Sequence, residues 1–245
     1  MELIGDMRRS AMWEWAQIVL GTHCVKSYSQ EGEDRILARM YEGLVHGFYV
    51  DVGAYHPARF SNTLLLYKRG WCGINIDAMP GRMRLFRWTR PRDVNIEAAV
   101  SDSSKELLYY MFNESALNGF SRELSLSRHG QRGFRLVGKV RLKPRALGDI
   151  LSEHLRPGQD IHVLNIDVEG HEESVLRSNN WDVFRPWLVL VESLGMTIED
   201  VTRKGAGAFL HQCGYKLKAA TRNTFFFIDD GRIADLGLCP AGVDV

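Results

Sequence analysis

Short apolar runs alternate along the chain with stretches of helical spacing. Residues 47–53 form such a run and end in Asp51-Val52-Gly53, the pattern of a buried strand opening into a loop. Cys72–Asp77, residues 94–100, residues 161–167 and residues 187–192 repeat it. Between them, residues 31–45 place Ile36, Leu37, Met40 and Leu44 at helical intervals, with Ser29 positioned as an N-cap. Helices are also predicted over residues 61–69, from Pro80 to Thr89, over Glu172–Arg177 and over residues 198–213. Tyr215–Ala220 and Thr224–Asp229 flank Thr221-Arg222-Asn223 and predict a terminal hairpin. Strands Leu107–Phe112 and 139–143 bracket a polar, Gly- and Ser-rich stretch, residues 113–138, which predicts a long loop, functional or disordered. The whole reads as an α/β chain with a doubly wound, mainly parallel sheet and a C-terminal antiparallel hairpin.

Residues 3–20 carry Leu3, Ile4, Met7, Ala11, Trp15, Ile18 and Val19 at helical spacing. They predict a helix packed on the domain surface, or one that contacts a second copy or a membrane surface. The organisation expected is therefore a helical extension (1–26), one domain (27–230) whose residues 113–138 form a candidate substrate lid, and a tail (231–245).

Composition narrows the partners. In 245 residues, Lys plus Arg number 31 and Asp plus Glu 30, a net charge of +1 that gives no bulk attraction to nucleic acid. No run is long enough for a transmembrane helix. Cys24, Cys72, Cys213 and Cys239 are widely spaced with no CxxC pair, which excludes a dense disulfide framework and suits a cytoplasmic location.

The strand ends carry acids: Asp51, Asp77, Asp167 and Glu192. In a doubly wound sheet ligands bind outside these ends, and repelling carboxylates gathered there imply a site. Gly53 permits close backbone approach, but no G-x-G-x-x-G cradles a pyrophosphate. An acid after the second strand, Asp77, suits a ribose diol. An adenosine ligand without a diphosphate follows, and S-adenosylmethionine fits. A nicotinamide-dependent oxidoreductase does not, since no tyrosine has a lysine four positions on.

Ser29-Gln30-Glu31-Gly32-Glu33-Asp34, residues 48–57 (FYVDVGAYHP), Ser61-Asn62-Thr63, residues 70–78 (GWCGINIDA) and residues 166–172 (IDVEGHE) together resemble the FkbM-type methyltransferases. The resemblance implies a class I, Rossmann-like S-adenosylmethionine-dependent O-methyltransferase. Its acceptor would be a hydroxyl of a sugar, glycan intermediate or natural product. It further implies that Asp51, Gly53 and Ala54 line the cofactor loop, and that Asp77 and Ala78 hold the ribose and adenine edge. Asp102 and the Ala99 backbone would meet the adenine amino group, and Gln30, Ser61, Asn62 and Thr63 the methionine end. The family's usual Ile-Glu-Ala is Ile76-Asp77-Ala78 in this chain. A cofactor-binding but inactive partner in a glycan-assembly complex is the alternative.

Catalysis is expected from Asp167, Glu169 and His171. An extended segment would direct these alternating side chains to one side. His171 is suited to take the acceptor's proton, with Asp167 or Glu169 orienting it or acting as base instead. The same cluster with Glu192 offers oxygen and nitrogen ligands to a divalent metal.

Overall fold

The computed structural model describes residues 12–232. Expectations for residues 1–11 and 233–245, including most of the tail and the first half of the N-terminal helix, lie outside the described residues. Residues 12–19 are helical (α1), and Trp15, Ile18 and Val19 are exposed rather than packed on the domain. Helix α2 spans Glu33–Met40, shorter than the spacing suggests. Its N-cap is Gly32 in the left-handed region, while Ser29 Oγ accepts from the Gly32 and Asp34 amides.

Strands β1 (Phe48–Val52), β2 (Cys72–Asp77), β3 (Val94–Glu97), β6 (Val163–Ile166), β7 (Leu188–Glu192), β8 (Tyr215–Ala220) and β9 (Thr224–Asp229) form one sheet in the order β3-β2-β1-β6-β7-β9-β8. The first five in that order are parallel and β9 runs antiparallel between β7 and β8. This is the class I methyltransferase arrangement, with its reversal of strand order at β1 and β6. Crossover helices α3 (Leu64–Lys68), α4 (Met83–Thr89), α6 (Leu147–His154), α7 (Glu172–Arg177), α8 (Ile198–Val201) and α9 (Gly205–Gln212) cover the sheet. One helix was expected over 198–213; α8 and α9 divide it at residues 202–204.

Period-two alternation sends the strand side chains to two cores. Val50, Val52, Ile74, Ile76, Leu164 and Ile166 pack with α6, α7 and α9. Tyr49, Val163, Leu188 and Leu190 pack with α2 and α3 on the other face. Across that second face runs a polar row. Asn165, Asp51, Asn75 and Asn95 stand in register on β6, β1, β2 and β3, each a polar residue inside its strand.

Residues 113–138 are not a loose loop. Strands β4 (Leu107–Phe112) and β5 (Leu136–Leu142) pair as a separate antiparallel ribbon, joined through a 3-10 turn at Ser115–Leu117 and helix α5 (Arg122–Arg128). Ser121 caps α5 by accepting from Leu124 N, and Asn118 Oδ1 accepts from Phe112 N at 2.8 Å. Local side-chain to backbone bonds thus order a segment whose composition reads as loop.

Candidate active site

The ends of β1, β2, β6 and β7 open into a cavity of about 460 Å3. That lies within the range of roughly 300–1,000 Å3 typical of small-molecule sites. Asp51, Asp77, Asp167 and Glu192 all reach its wall, together with Gln30, Gly53, Ala54, Ser61, Asn62, Ala78 and Glu169. Residues 114–120, Arg128 and Phe134 of the insertion close the opposite side.

Asp51 belongs to the polar row. Its Oδ2 accepts from Thr63 Oγ1 at 2.7 Å and its Oδ1 from Asn165 Nδ2 at 2.9 Å. Thr63 does not reach the wall; it stands behind Asp51 and accepts from the buried Arg90 at 2.8 Å. Arg90 also donates to Ser61 Oγ, Pro57 O and Asn75 Oδ1. Burial pushes the Asp51 carboxyl up, and the Thr63 and Asn165 bonds and the Arg90 charge oppose that shift. Asn62 donates to Asn165 Oδ1 at 3.0 Å, so the loop before α3 is locked to the sheet. Arg90 and Asn165 were not foreseen. Asn165 left a signal, a lone amide inside an apolar strand; Arg90 left none.

Asp77 is held from both sides. Tyr55 N donates to its Oδ2 and Met79 N to its Oδ1, each at 2.8 Å. Each oxygen keeps acceptor capacity for a further donor. Burial raises its pKa, against those two backbone bonds. Ile76, Met79, Ala98 and Val100 supply an apolar surface beside it. Ala99 faces away, its carbonyl accepting from Arg145 N at 2.9 Å. Asp102 is exposed and off the wall.

The segment after β6 is not extended. Glu169 and Gly170 are left-handed, with φ of 58° and 91°, and the chain turns there. Glu172 Oε1 secures the turn by accepting from Gly170 N at 2.9 Å and Val168 N at 3.3 Å. Asp167 and Glu169 therefore face the cavity while His171 does not. This corrects the expectation that the three side chains share a side. His171 Nε2 pairs with Ser101 Oγ at 3.1 Å, and its ring packs on Phe120 at 5.5 Å, in a neighbouring cleft. Burial lowers its pKa.

Carboxylate oxygens of Asp167, Glu169 and Glu192 lie within 4.8 Å of one another. Glu169 is ion-paired with Arg128 of α5 at 2.7 Å. Burial, reinforced by the neighbouring Asp167, Glu169 and Glu172 charges, pushes Glu192 up to about 11. Burial and the Glu169 and Glu172 charges also lift Asp167 well above the usual carboxylate range. Burial and mutual repulsion both favour a proton shared by the pair. Glu192 Oε2 is buried and has no hydrogen-bond partner among the described residues.

The strand order is that of the class I, Rossmann-like architecture. A family model for the methyltransferase FkbM domain matches residues 51–217, and the chain belongs to that family. Among solved structures it is similar to a TehB-like SAM-dependent methyltransferase from Corynebacterium glutamicum. That likeness has 12% identity and a TM-score of 0.38, covering 91% of this chain and 99% of that one. No curated protein matches the sequence.

The cavity fits the methyl donor that the family implies, S-adenosylmethionine. Asp77 presents two fixed carboxylate oxygens, the acceptor pair a vicinal diol requires. The acidic groups at the ends of β6 and β7 complement a sulfonium charge.

Proposed function

We propose that this protein transfers a methyl group from S-adenosylmethionine to a hydroxyl oxygen of a sugar, glycan intermediate or natural product. The observation that carries the reading is the Asp167–Glu192 carboxyl pair in the same cavity as Asp77. Asp77 binds the ribose hydroxyls, with Ala78, Met79 and Ala98 against the adenine. Gln30, Ser61 and Asn62 receive the methionine end, and Asp51, through Thr63 and Asn165, fixes the loop that carries Ser61 and Asn62. Gly53 and Ala54 keep the loop between them close to the sheet, both amides donating to Ile76 O.

Methyl transfer to an alcohol forms one O–C bond and breaks one S–C bond. The acceptor's proton must leave with the charge. A carboxylate of raised pKa is a stronger base than an ordinary one, and Asp167 is placed to take that proton. A neutral Glu192 donates to Asp167 and holds it in place. Arg128 offsets the charge of Glu169, so the cluster does not carry three free negative charges. The base need is what supports a hydroxyl acceptor over an amine, whose lone pair is available once it is neutral.

The orphaned Glu192 oxygen also supports a second reading of the same cluster. Asp167, Glu169 and Glu192 would hold a divalent cation through oxygen, the donor set that magnesium accepts. A bound cation would acidify the acceptor hydroxyl. His171 would take no part, since it lies in the neighbouring cleft.

Calorimetry with S-adenosylhomocysteine tests the cofactor site. Transfer of labelled methyl to matched hydroxyl, amine and thiol libraries, with and without EDTA, tests the chemistry. Labelling confined to amines or thiols overturns the proposal. Loss of activity in EDTA, restored by magnesium, selects the metal reading. Cofactor binding with no transfer to any acceptor supports an inactive partner in a glycan-assembly complex.

A further inference from the structure

The cavity has a second electrical end. Arg82 lies five positions beyond Asp77, at the N-cap of α4, and lines the wall. Its guanidinium sits over the Tyr55 ring, 5.2 Å from the centroid. One nitrogen, Nη2, donates to Ser115 Oγ at 2.8 Å and also meets Met79 Sδ. Nε is buried and has no acceptor among the described residues. The other two arginines of the wall are already matched, Arg59 with Glu114 at 3.0 Å and Arg128 with Glu169 at 2.7 Å. Among the described residues, no carboxylate forms an ion pair with Arg82.

A buried donor without an acceptor costs free energy that a bound ligand can recover. A guanidinium backed by an aromatic ring is partly desolvated and held flat, which sharpens its preference for a planar or tetrahedral oxyanion. The positive field extends to His56. Burial and then the Arg82 and Arg59 charges disfavour its protonation. The acids at the ends of β6 and β7 are suited to the sulfonium. The Tyr55 side is suited to an anion.

We infer that Arg82 is a specificity-determining residue that receives an anionic oxygen group of the acceptor, a carboxylate or a phosphate, through the guanidinium donors that Ser115 and Met79 leave free. The inference rests on the methyltransferase reading and narrows its acceptor to an acidic molecule.

The test uses the full chain saturated with S-adenosylhomocysteine, titrated with inorganic phosphate, with acetate and with neutral glucose as probes, followed by NMR. Saturable binding of phosphate or acetate is expected, weakened about tenfold or more in Arg82→Gln, as for loss of a charge-assisted contact. Whichever anion binds more tightly identifies the group. Arg82→Lys keeps the charge and is expected to recover part of the loss, which separates recognition from misfolding. Failure of both anions to bind while the cofactor product binds overturns the inference. Equal anion binding to wild type and Arg82→Gln also overturns it. So does a tenfold loss of S-adenosylhomocysteine affinity in Arg82→Gln, because that assigns the guanidinium to the cofactor. Failure of wild type to bind S-adenosylhomocysteine at all refutes the proposed function instead.

Discussion

Gly53 and Asp167 meet backbone to backbone. A Cβ placed on Gly53 would stand 1.7 Å from the Asp167 carbonyl oxygen. The loop after β1 and the turn after β6 are thus set against each other, and the relative position of their acids follows from that contact. Gly53 is also left-handed, at φ 82°.

Gly53→Ala therefore has two costs, the strained backbone and the clash with a carbonyl that cannot rotate aside. A destabilisation of about 3 kcal/mol or more is expected, together with loss of cofactor binding. Chemical denaturation and calorimetry measure the two. A variant of wild-type stability that binds S-adenosylhomocysteine normally would show that the two loops are free to separate.

Asp77 separates charge from geometry. Asp77→Ala removes acceptors from two backbone amides and from the ribose, so S-adenosylhomocysteine affinity should fall by about 10- to 100-fold. Asp77→Asn should also weaken binding. An amide group has one acceptor oxygen, and its NH2 would face either Tyr55 N or Met79 N. Near-wild-type affinity in both variants would remove Asp77 from the cofactor site.

Much of this architecture was legible in the chain. Cys72–Asp77, Glu172–Arg177 and both hairpin strands have the bounds that periodicity assigns. The acids at the strand ends share one cavity, because parallel strands deliver their C-terminal ends to one edge of the sheet. Three things were not legible. The turn at Glu169 requires a non-glycine residue at φ 58°, which spacing cannot announce and the Glu172 side chain stabilises. The fold of residues 113–138 depends on bonds such as Asn118 to Phe112 N and Arg128 to Glu169. Their partners are fixed only once β4 and β5 have paired. Helix α6, Leu147–His154, also went unassigned from the sequence.

The correction at His171 is testable directly. Asp167→Asn should reduce kcat by about 100-fold or more, the loss typical of a general base, while leaving S-adenosylhomocysteine affinity within about threefold. His171→Ala should keep kcat within about fivefold, since its ring contacts Phe120 and Ser101 rather than the cavity. The reverse pattern, a crippled His171→Ala and an active Asp167→Asn, would return the base role to histidine.

Glu192 should be a stability liability at high pH. Burial and the neighbouring Asp167, Glu169 and Glu172 charges push its carboxyl well above the roughly 4.3 of the unfolded chain. A raised folded pKa gives stability that is complete below the unfolded value and is lost as pH rises toward the folded one. Glu192→Gln removes that loss. Its Tm should exceed that of wild type by a few degrees at pH 9, with a smaller gap at pH 5. A Tm difference independent of pH would show that Glu192 is not protonated in the folded state.

The same proton should report on the sulfonium. S-adenosylmethionine carries a positive charge at sulfur and its demethylated product does not, so their affinities differ chiefly by that charge. A cation beside Asp167 and Glu192 favours the ionised pair. The free protein holds a proton there, so binding the cation releases it. A proton released on binding makes affinity increase with pH. The ratio of S-adenosylmethionine to S-adenosylhomocysteine affinity should therefore rise from pH 6 to 9, by up to about tenfold per unit where one whole proton is released. Calorimetry in buffers of different ionisation enthalpy counts that proton. In Glu192→Gln the slope should flatten, because the partner that shares the proton is gone. A ratio constant with pH in wild type would mean that the carboxyl pair does not face the sulfur, and would leave Asp167 too far from the transferring methyl to serve as its base.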